Sequence, residues 1–208
     1  MPTPEADPRA CPGPDPKPRR PTRFSVPAGA VDSHAHVIGL PPAWPLMPNR
    51  SYTPPEAPGE AYVAMLDATG MAYGVLVQVS VHGTDNRRML EVLRAHPERL
   101  RGIAVVPLDL PHRELVALKD AGVVGLRLNV LYGGGIGFDQ LEAYGALARD
   151  MGWHLQFLID ARDLTPLASR IGKLPVPVVI DHWGHFPVSR GLDDEGFRTL
   201  VSLARDGA

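Results

Sequence analysis

The chain of 208 residues contains a single cysteine, Cys11, so no internal disulfide and no cysteine-built zinc centre can form. That usage fits a reducing compartment, and the expectation is a cytoplasmic protein. Basic and acidic residues nearly cancel, 21 against 23, for a formal net charge of -2. Such a balance leaves no electrostatic footprint for nucleic acid and no polybasic patch for a membrane surface. No stretch approaches the 18 or so consecutive apolar residues of a transmembrane helix. The pair Arg19-Arg20 has the look of a twin-arginine signal, yet no apolar segment follows it.

Proline, by contrast, crowds the beginning. Residues 1–27 hold nine prolines and five basic residues, with only Phe24 and Val26 as sizeable apolar groups. Such a segment buries too little surface to offset its ordering entropy and reads as a disordered tail. Residues 28–208 form the folded part, in which apolar runs alternate with helical patterns. The strand candidates are Val31–Val37, Tyr73–Val81, Gly102–Val106, Val124–Leu128, His154–Ile159 and Val176–Ile180. Their near-continuous hydrophobicity is that of strands covered on both faces. The helical patterns are Gly59–Ala68, Asn86–His96, Arg113–Ala121, Asp139–Met151, Leu164–Ile171 and Asp194–Ala204. Gly70, Gly122, Gly152 and Gly172 follow four of them, where a left-handed residue ends a helix.

Six βα units in strict alternation predict an α/β fold with a parallel sheet, either a barrel or an open doubly wound sheet. A full (β/α)8 barrel takes about 250 residues, so six units need roughly 190. The folded part fits that figure, whereas an open flavodoxin-like sheet closes its account with five strands. A Gly-rich fingerprint is also missing after the first strand. The prediction is a TIM-like (β/α)8 barrel, incomplete, with about six βα units present.

The first strand holds Asp32, His34 and His36 at alternate positions, which places all three on one face, neighbours about 6.6 Å apart. Read alone, the pair of histidines is as well explained by an exposed edge strand as by a site. Other polar residues gather where barrel chemistry sits, at strand C-termini. They are Ser80 and His82 after strand two, Arg127 and Asn129 on strand four, and Asp181-His182-Trp183-Gly184-His185 after strand six. Each also has a structural reading. Ser80 caps the following helix, His82 is solvated, Asp85 caps the second helix, Asp181 anchors a loop or orients a histidine, and His185 is exposed. Tyr144, Trp153 and Phe157 read as packing. Arg127 either pairs with an internal carboxylate or reads an anionic substrate; the flanking strand ends offer no obvious carboxylate, which favours the substrate. On that reading Arg127→Met removes binding with little loss of fold. The glycines between Gly133 and Gly137 make either a backbone anion site or a mobile loop.

Taken in order, Asp32-x-His34-x-His36, Tyr52-Thr53-Pro54-Pro55, Val77-Gln78-Val79-Ser80, His82-Gly83-Thr84-Asp85-Asn86, Gly125-Leu126-Arg127 and Asp181-His182-Trp183-Gly184 resemble the amidohydrolase superfamily. Within it they resemble the lactonase branch of 2-pyrone-4,6-dicarboxylate hydrolase-like enzymes. The resemblance runs from about residue 28 to the end of the sequence. It implies hydrolysis of the ester bond of a small acidic lactone. His34 and His36 would be the strand-one pair that holds metal in many members, together with His182, which polarises the scissile carbonyl. Tyr52, Ser80 and Arg127 would hold the substrate carboxylate. The implied cofactor is none or one divalent metal, zinc or manganese. The implied partner is a small-molecule lactone, with no nucleic acid or membrane, and the oligomeric state stays open. Two features depart from the family. A second substrate arginine beyond strand four is replaced by the loop around Gly133. The general base, an aspartate ending strand eight, has no counterpart, because the sequence stops after its sixth helix; the expectation is a C-terminally truncated barrel. Two alternatives follow, a zinc-dependent non-oxidative decarboxylase of the same superfamily and a catalytically incompetent fragment.

Overall fold

Valine, leucine and isoleucine dominate six short runs that pair as parallel strands, and the segments between them cover the sheet as helices. The computed structural model describes residues 11–133 and 135–207. Residues 1–10 of the proline-rich tail lie outside the described residues; residues 11–27 form neither helix nor strand, as a segment short of backbone donors is expected to behave. The order is β1 (Val31–Ala35), α1 (Gly59–Thr69), β2 (Tyr73–Val77), α2 (Arg87–Ala95), β3 (Leu100–Ala104), α3 (His112–Asp120), β4 (Val123–Asn129), α4 (Leu141–Met151), β5 (His154–Leu158), α5 (Ala168–Ile171), β6 (Val178–Ile180) and α6 (Glu195–Asp206).

The six strands hydrogen-bond in the order β1-β2-β3-β4-β5-β6. Each crossover adds its strand on the same side, which is barrel winding; a doubly wound sheet reverses direction. The sheet also curls. His34 on β1 lies 3.3 Å from Gln156 on β5, although three strands separate them in the sheet. The core sits between the central strands and their helices, where Leu76, Leu100, Leu126, Leu155 and Phe157 are fully buried beneath Leu66, Met89, Leu93 and Leu141. Met89, Val92 and Leu93 show how α2 is held, with three apolar side chains at helical spacing facing inward.

Four expectations change. Apart from Tyr73 and Arg101 near their starts, β2 to β5 are covered on both faces, but the edge strands β1 and β6 are not, and there Val31 and Val179 are exposed. β2 stops at Val77, because Val79 and Val81 turn away to pack with Ile38 in a small separate cluster. The fifth helical pattern, Leu164–Ile171, becomes a 3-10 turn, Thr165–Leu167, and the four-residue α5. Pro166 lacks the N–H that a continuous helix needs there. Gly172 then closes α5 at φ −65° in a right-handed turn, while Gly70, Gly122 and Gly152 are left-handed as expected.

The open β6 edge carries a consequence. Val179 stands exposed on it, beside an apolar hollow of about 660 Å³ between β6 and α6 lined by Val178, Ile180, Leu200 and Leu203. An unpaired apolar edge templates pairing with another chain. The isolated 208-residue chain is expected to self-associate with rising concentration, and Val179→Lys to shift it toward monomer. Sedimentation velocity decides; identical profiles for both proteins would dismiss the edge.

Candidate active site

The inward-facing polar side chains at the C-terminal ends of four strands meet in one layer. Arg127 on β4 donates from Nη2 to Asp181 Oδ2 at 2.9 Å and from Nη1 to the Gln78 carbonyl at 3.2 Å. Gln156, in register with Arg127 on β5, donates to Asp181 Oδ1 at 2.6 Å. His34 Nδ1 completes the layer, 3.4 Å from the same oxygen. The Arg127 and Asp181 side chains are only 3% and 2% exposed, so the two charges hold one another in an apolar surround. Burial pushes the Asp181 carboxyl up, but the contacts with His34 and Arg127 outweigh it and hold it below the ordinary carboxylate range.

The expectation that no carboxylate lies at hand for Arg127 changes. Its carboxylate partner does exist, but it sits two strands away on the β6 end and becomes a neighbour only through the curl of the sheet. Asp181 accordingly serves as the pivot of the layer. Gln156 was not singled out in the sequence, although an amide inside the run His-Leu-Gln-Phe-Leu was the available signal.

A bulge also alters the first strand. Register shifts between Asp32 and Ala35, which breaks the alternation there. Asp32 therefore stands beside the Tyr62 hydroxyl of α1 rather than with the histidines, and with burial it raises that phenol above its ordinary range. His34 and His36 do stay together, ring centroids 5.0 Å apart.

After β6 the backbone runs left-handed, with φ 52° at His182, 52° at Trp183, 63° at Gly184 and 47° at His185. Left-handed geometry costs an L-residue roughly 1–2 kcal/mol, so the turn persists only because its surroundings fix it. Gly184 is where it is seated: a Cβ there would lie 2.8 Å from the Ala161 Cβ and 3.0 Å from its amide nitrogen. The turn brings the rings of His182 and His185 within 5.0 Å, and His182 within 4.7 Å of His34.

A cavity of about 430 Å³ opens beside this turn, within the range of small-molecule sites. Five of the six expected site residues line it, His36, Tyr52, Ser80, Arg127 and His182, with His34 behind them in the polar layer. His185, singled out with the strand-six cluster, lines it too, and so do Ser51, Tyr132 and Leu158, which were not anticipated. Tyr52 and Ser80 face each other across 3.4 Å, so the Ser80 hydroxyl serves the cavity and caps no helix. Asn129 accepts from the amides of Leu131 and Tyr132 and so fixes Tyr132 at the rim. The glycine loop is partly accounted for: the Gly133 amide donates to Ser51 Oγ at 3.3 Å, while Gly134 lies outside the described residues.

Other expectations resolve as structure. His82 is buried rather than solvated, accepting from the Gly39 amide at 3.3 Å and bonding the Pro45 carbonyl at 3.2 Å, which ties down the loop before Tyr52. Asp85 accepts from the Arg87 amide at the start of α2. His185 is half-buried rather than exposed, and Tyr144, Trp153 and Phe157 are core.

Desolvation governs the imidazoles. Burial drives His36 down to about 4, against the pull of its 2.8 Å bond to the Val77 carbonyl, and Arg127 and His34 add to the effect. Burial, then the charge of His34, lowers His182 too. Both are neutral at pH 7. His36 Nδ1 spends its hydrogen on a carbonyl, leaving Nε2 as a lone-pair donor, the orientation that metal-binding histidines show. His34 Nε2 is buried without a partner while its Nδ1 faces Asp181. That donor set fits a divalent ion. His34, Asp181 and His182 place one ligand atom each within 4.8 Å of one another, but Arg127 and Gln156 already occupy the two Asp181 oxygens, which leaves the work of ligation to imidazoles.

Comparison with known proteins agrees with this geometry. The 2-pyrone-4,6-dicarboxylate hydrolase of Comamonas testosteroni is 37% identical over 188 residues, covering 88% of this chain and 61% of that protein. A 4-sulfomuconolactone hydrolase of Hydrogenophaga intermedia is 32% identical over 191 residues, covering 89% and 62%. A crystal structure of a probable 2-pyrone-4,6-dicarboxylic acid hydrolase from Acinetobacter baumannii, with citric acid bound, superposes with a TM-score of 0.75 at 30% identity, over 84% of this chain and 66% of the other. The chain thus spans less than two thirds of the length of the curated relatives it matches. The amidohydrolase family profile matches residues 31–208, nearly the whole folded part. With the parallel strand order and the histidines at the strand ends, this establishes that the chain belongs to the amidohydrolase family.

Proposed function

We propose that the protein carrying this chain hydrolyses the ester bond of a small, carboxylate-bearing lactone, of the kind named for its relatives, in the cytoplasm. The observation that carries the reading is the cavity itself. Neutral imidazoles, His36 and His182, share it with a guanidinium and two hydroxyls, Arg127, Ser80 and Tyr52. Water adds to the lactone carbonyl, the carbonyl oxygen gains negative charge, and the ring C–O bond breaks as the leaving oxygen takes a proton. An N–H of the His182 imidazole placed at that oxygen stabilises it, since the His36 hydrogen is spent on the Val77 carbonyl. Arg127, Ser80 and Tyr52 hold the carboxylate and so fix where the carbonyl lies. A zinc or manganese ion suits imidazole ligands from His34, His36 and His182, and when bound it supplies Lewis-acid polarisation of the carbonyl. The resemblance assigns the base to strand eight, and no described residue takes that role. The single cysteine agrees with the proposed compartment.

The test is ring opening of 2-pyrone-4,6-dicarboxylate and 4-sulfomuconolactone, followed by absorbance and product analysis on the protein that carries this chain. His182→Gln should lower kcat by about 10²–10³ with KM within a few-fold, as loss of an oxyanion partner does. Release of carbon dioxide without ring opening would replace the lactonase reading by a decarboxylase.

A further inference from the structure

We propose that His82 is a positioning residue for substrate binding: its imidazole clasps the loop between β1 and α1 onto the turn after β2, and so sets Tyr52 against Ser80 at the cavity. The task this gives Tyr52 rests on the lactonase reading. Residues 36–58 join β1 to α1 without helix or strand, well beyond the usual length of such a connection. Tyr52 rides far along that irregular segment. It keeps its place only where the segment is tied down.

Both ring nitrogens of His82 are spent on the loop. The Gly39 amide donates to Nε2 at 3.3 Å, so the hydrogen of the ring sits on Nδ1, which donates to the Pro45 carbonyl at 3.2 Å. Only the neutral imidazole in that tautomer makes both bonds. Beside it the Met47 amide donates to the Val81 carbonyl at 2.7 Å. Arg50 carries the constraint forward, donating to the Met47 carbonyl at 3.2 Å and to Thr53 Oγ1 at 3.1 Å, which bracket Tyr52 in the chain. The Tyr52 ring then packs on Ile38, Val79 and Val81, with its hydroxyl 3.4 Å from Ser80 Oγ. Trp44 is a second fastener. Its ring lies so close over Gly39 that a Cβ there would come within 2.5 Å of it, and the Arg88 guanidinium stacks 4.7 Å from its centroid. The turn Ser80–His82 thus carries the partner of Tyr52 at one end and the clasp for its loop at the other.

A proton on His82 undoes the clasp, because the Gly39 amide then meets an N–H where it had a lone pair. Burial opposes that proton, the Pro45 carbonyl and Asp85 favour it, and Arg87 and Arg88 oppose it, which together hold the ring below its ordinary value. Residues 37–47 of the loop bring no ionisable side chain. The clasp is therefore closed above that lowered value and opens as pH falls through it.

The spectra that test this need no turnover. In ¹⁵N-histidine spectra the His82 signal, identified by its loss in His82→Gln, should be that of the Nδ1–H tautomer. In ¹³C-tyrosine spectra the Tyr52 resonance, identified by its loss in Tyr52→Phe, should shift in His82→Phe. In the wild type it should move on acidification with the midpoint of the His82 ring. That acid shift should vanish in His82→Gln, whose side-chain oxygen still accepts from Gly39 but takes no proton. With 2-pyrone-4,6-dicarboxylate and the protein that carries this chain, His82→Phe should raise KM about 10-fold, the worth of a hydrogen bond to a charged group, with kcat within about threefold. His82→Gln should raise KM less. In a Tyr52→Phe background His82→Phe should add little, since the group it positions is already gone. A Tyr52 resonance indifferent to His82, or a KM effect that adds in full to that of Tyr52→Phe, overturns the proposal. Should His82→Phe fail to fold, the acid shift of Tyr52 in the wild type and its loss in His82→Gln decide. A wild type that opens no lactone sinks the lactonase reading, and the tyrosine spectra still decide whether His82 positions Tyr52.

Discussion

Asp181→Asn is expected to destabilise the fold by about 3–5 kcal/mol, the usual consequence of stranding one member of a buried ion pair. The substitution keeps the shape of the side chain but leaves the Arg127 guanidinium, itself 3% exposed, without a counter-charge. Gln156 and His34 lose the carboxylate they converge on, so the layer that joins β4, β5, β6 and β1 loses its centre. Arg127→Met should cost a similar amount for the mirror-image reason, which revises the expectation that this arginine is dispensable to the fold. The double variant should recover part of the loss, since two neutral side chains no longer bury an unpaired charge. Urea denaturation of the four proteins measures the coupling. A single-variant loss under about 1 kcal/mol would mean that the pair is solvated and the layer is not structural.

Acid should unfold the protein in two stages. In the unfolded chain His36 takes up a proton near its ordinary 6.5, whereas in the fold it does so only near 4. Between those values the unfolded state binds more protons, so stability rises with pH across the window and is lost as pH falls from 6.5 to 4. Integrated over the window, His36 alone accounts for on the order of 3 kcal/mol. His82 and His154, also lowered by burial, act in the same direction. Asp160 and Asp181 are held below the carboxylate range, so their contribution is present above the ordinary value of 3.8 and disappears beneath it. Thermal melts from pH 8 to 3 should show a decline beginning near 6.5 and a steeper one below 4. His36→Asn, whose amide nitrogen can still reach the Val77 carbonyl, should flatten the first stage. A melting temperature that holds steady from pH 7 to 4.5 would remove His36 as its cause.

Much of this was legible one residue at a time. Runs of Val, Leu and Ile separated by amphipathic stretches dictate strands and helices, because burial on a pleat and on a helix face impose their own periods. Gly70, Gly122 and Gly152 marked helix ends since only glycine turns left-handed without cost. Polar residues at strand ends pointed to the site because that end of a parallel barrel is where loops converge, and Tyr52, Ser80, Arg127, His36 and His182 do line one cavity.

The errors share a cause. Asp32 was assigned to the histidine face by strict alternation, and a single bulge in the pairing of β1 with β2 reversed it. Arg127 was judged to lack a carboxylate because Asp181 lies 54 positions further along the chain, and His34 meets Gln156 across 122 positions. His185 read as exposed because nothing local predicts three consecutive left-handed residues before it or an Ala161 backbone to support them. The sequence by itself determined the βα alternation, the family and most of the groups around the cavity, since these depend on neighbours in the chain. Only the tertiary structure decided which charges neutralise one another and which nitrogen is left wanting a partner, because the curl of the sheet sets those distances and no local pattern encodes it.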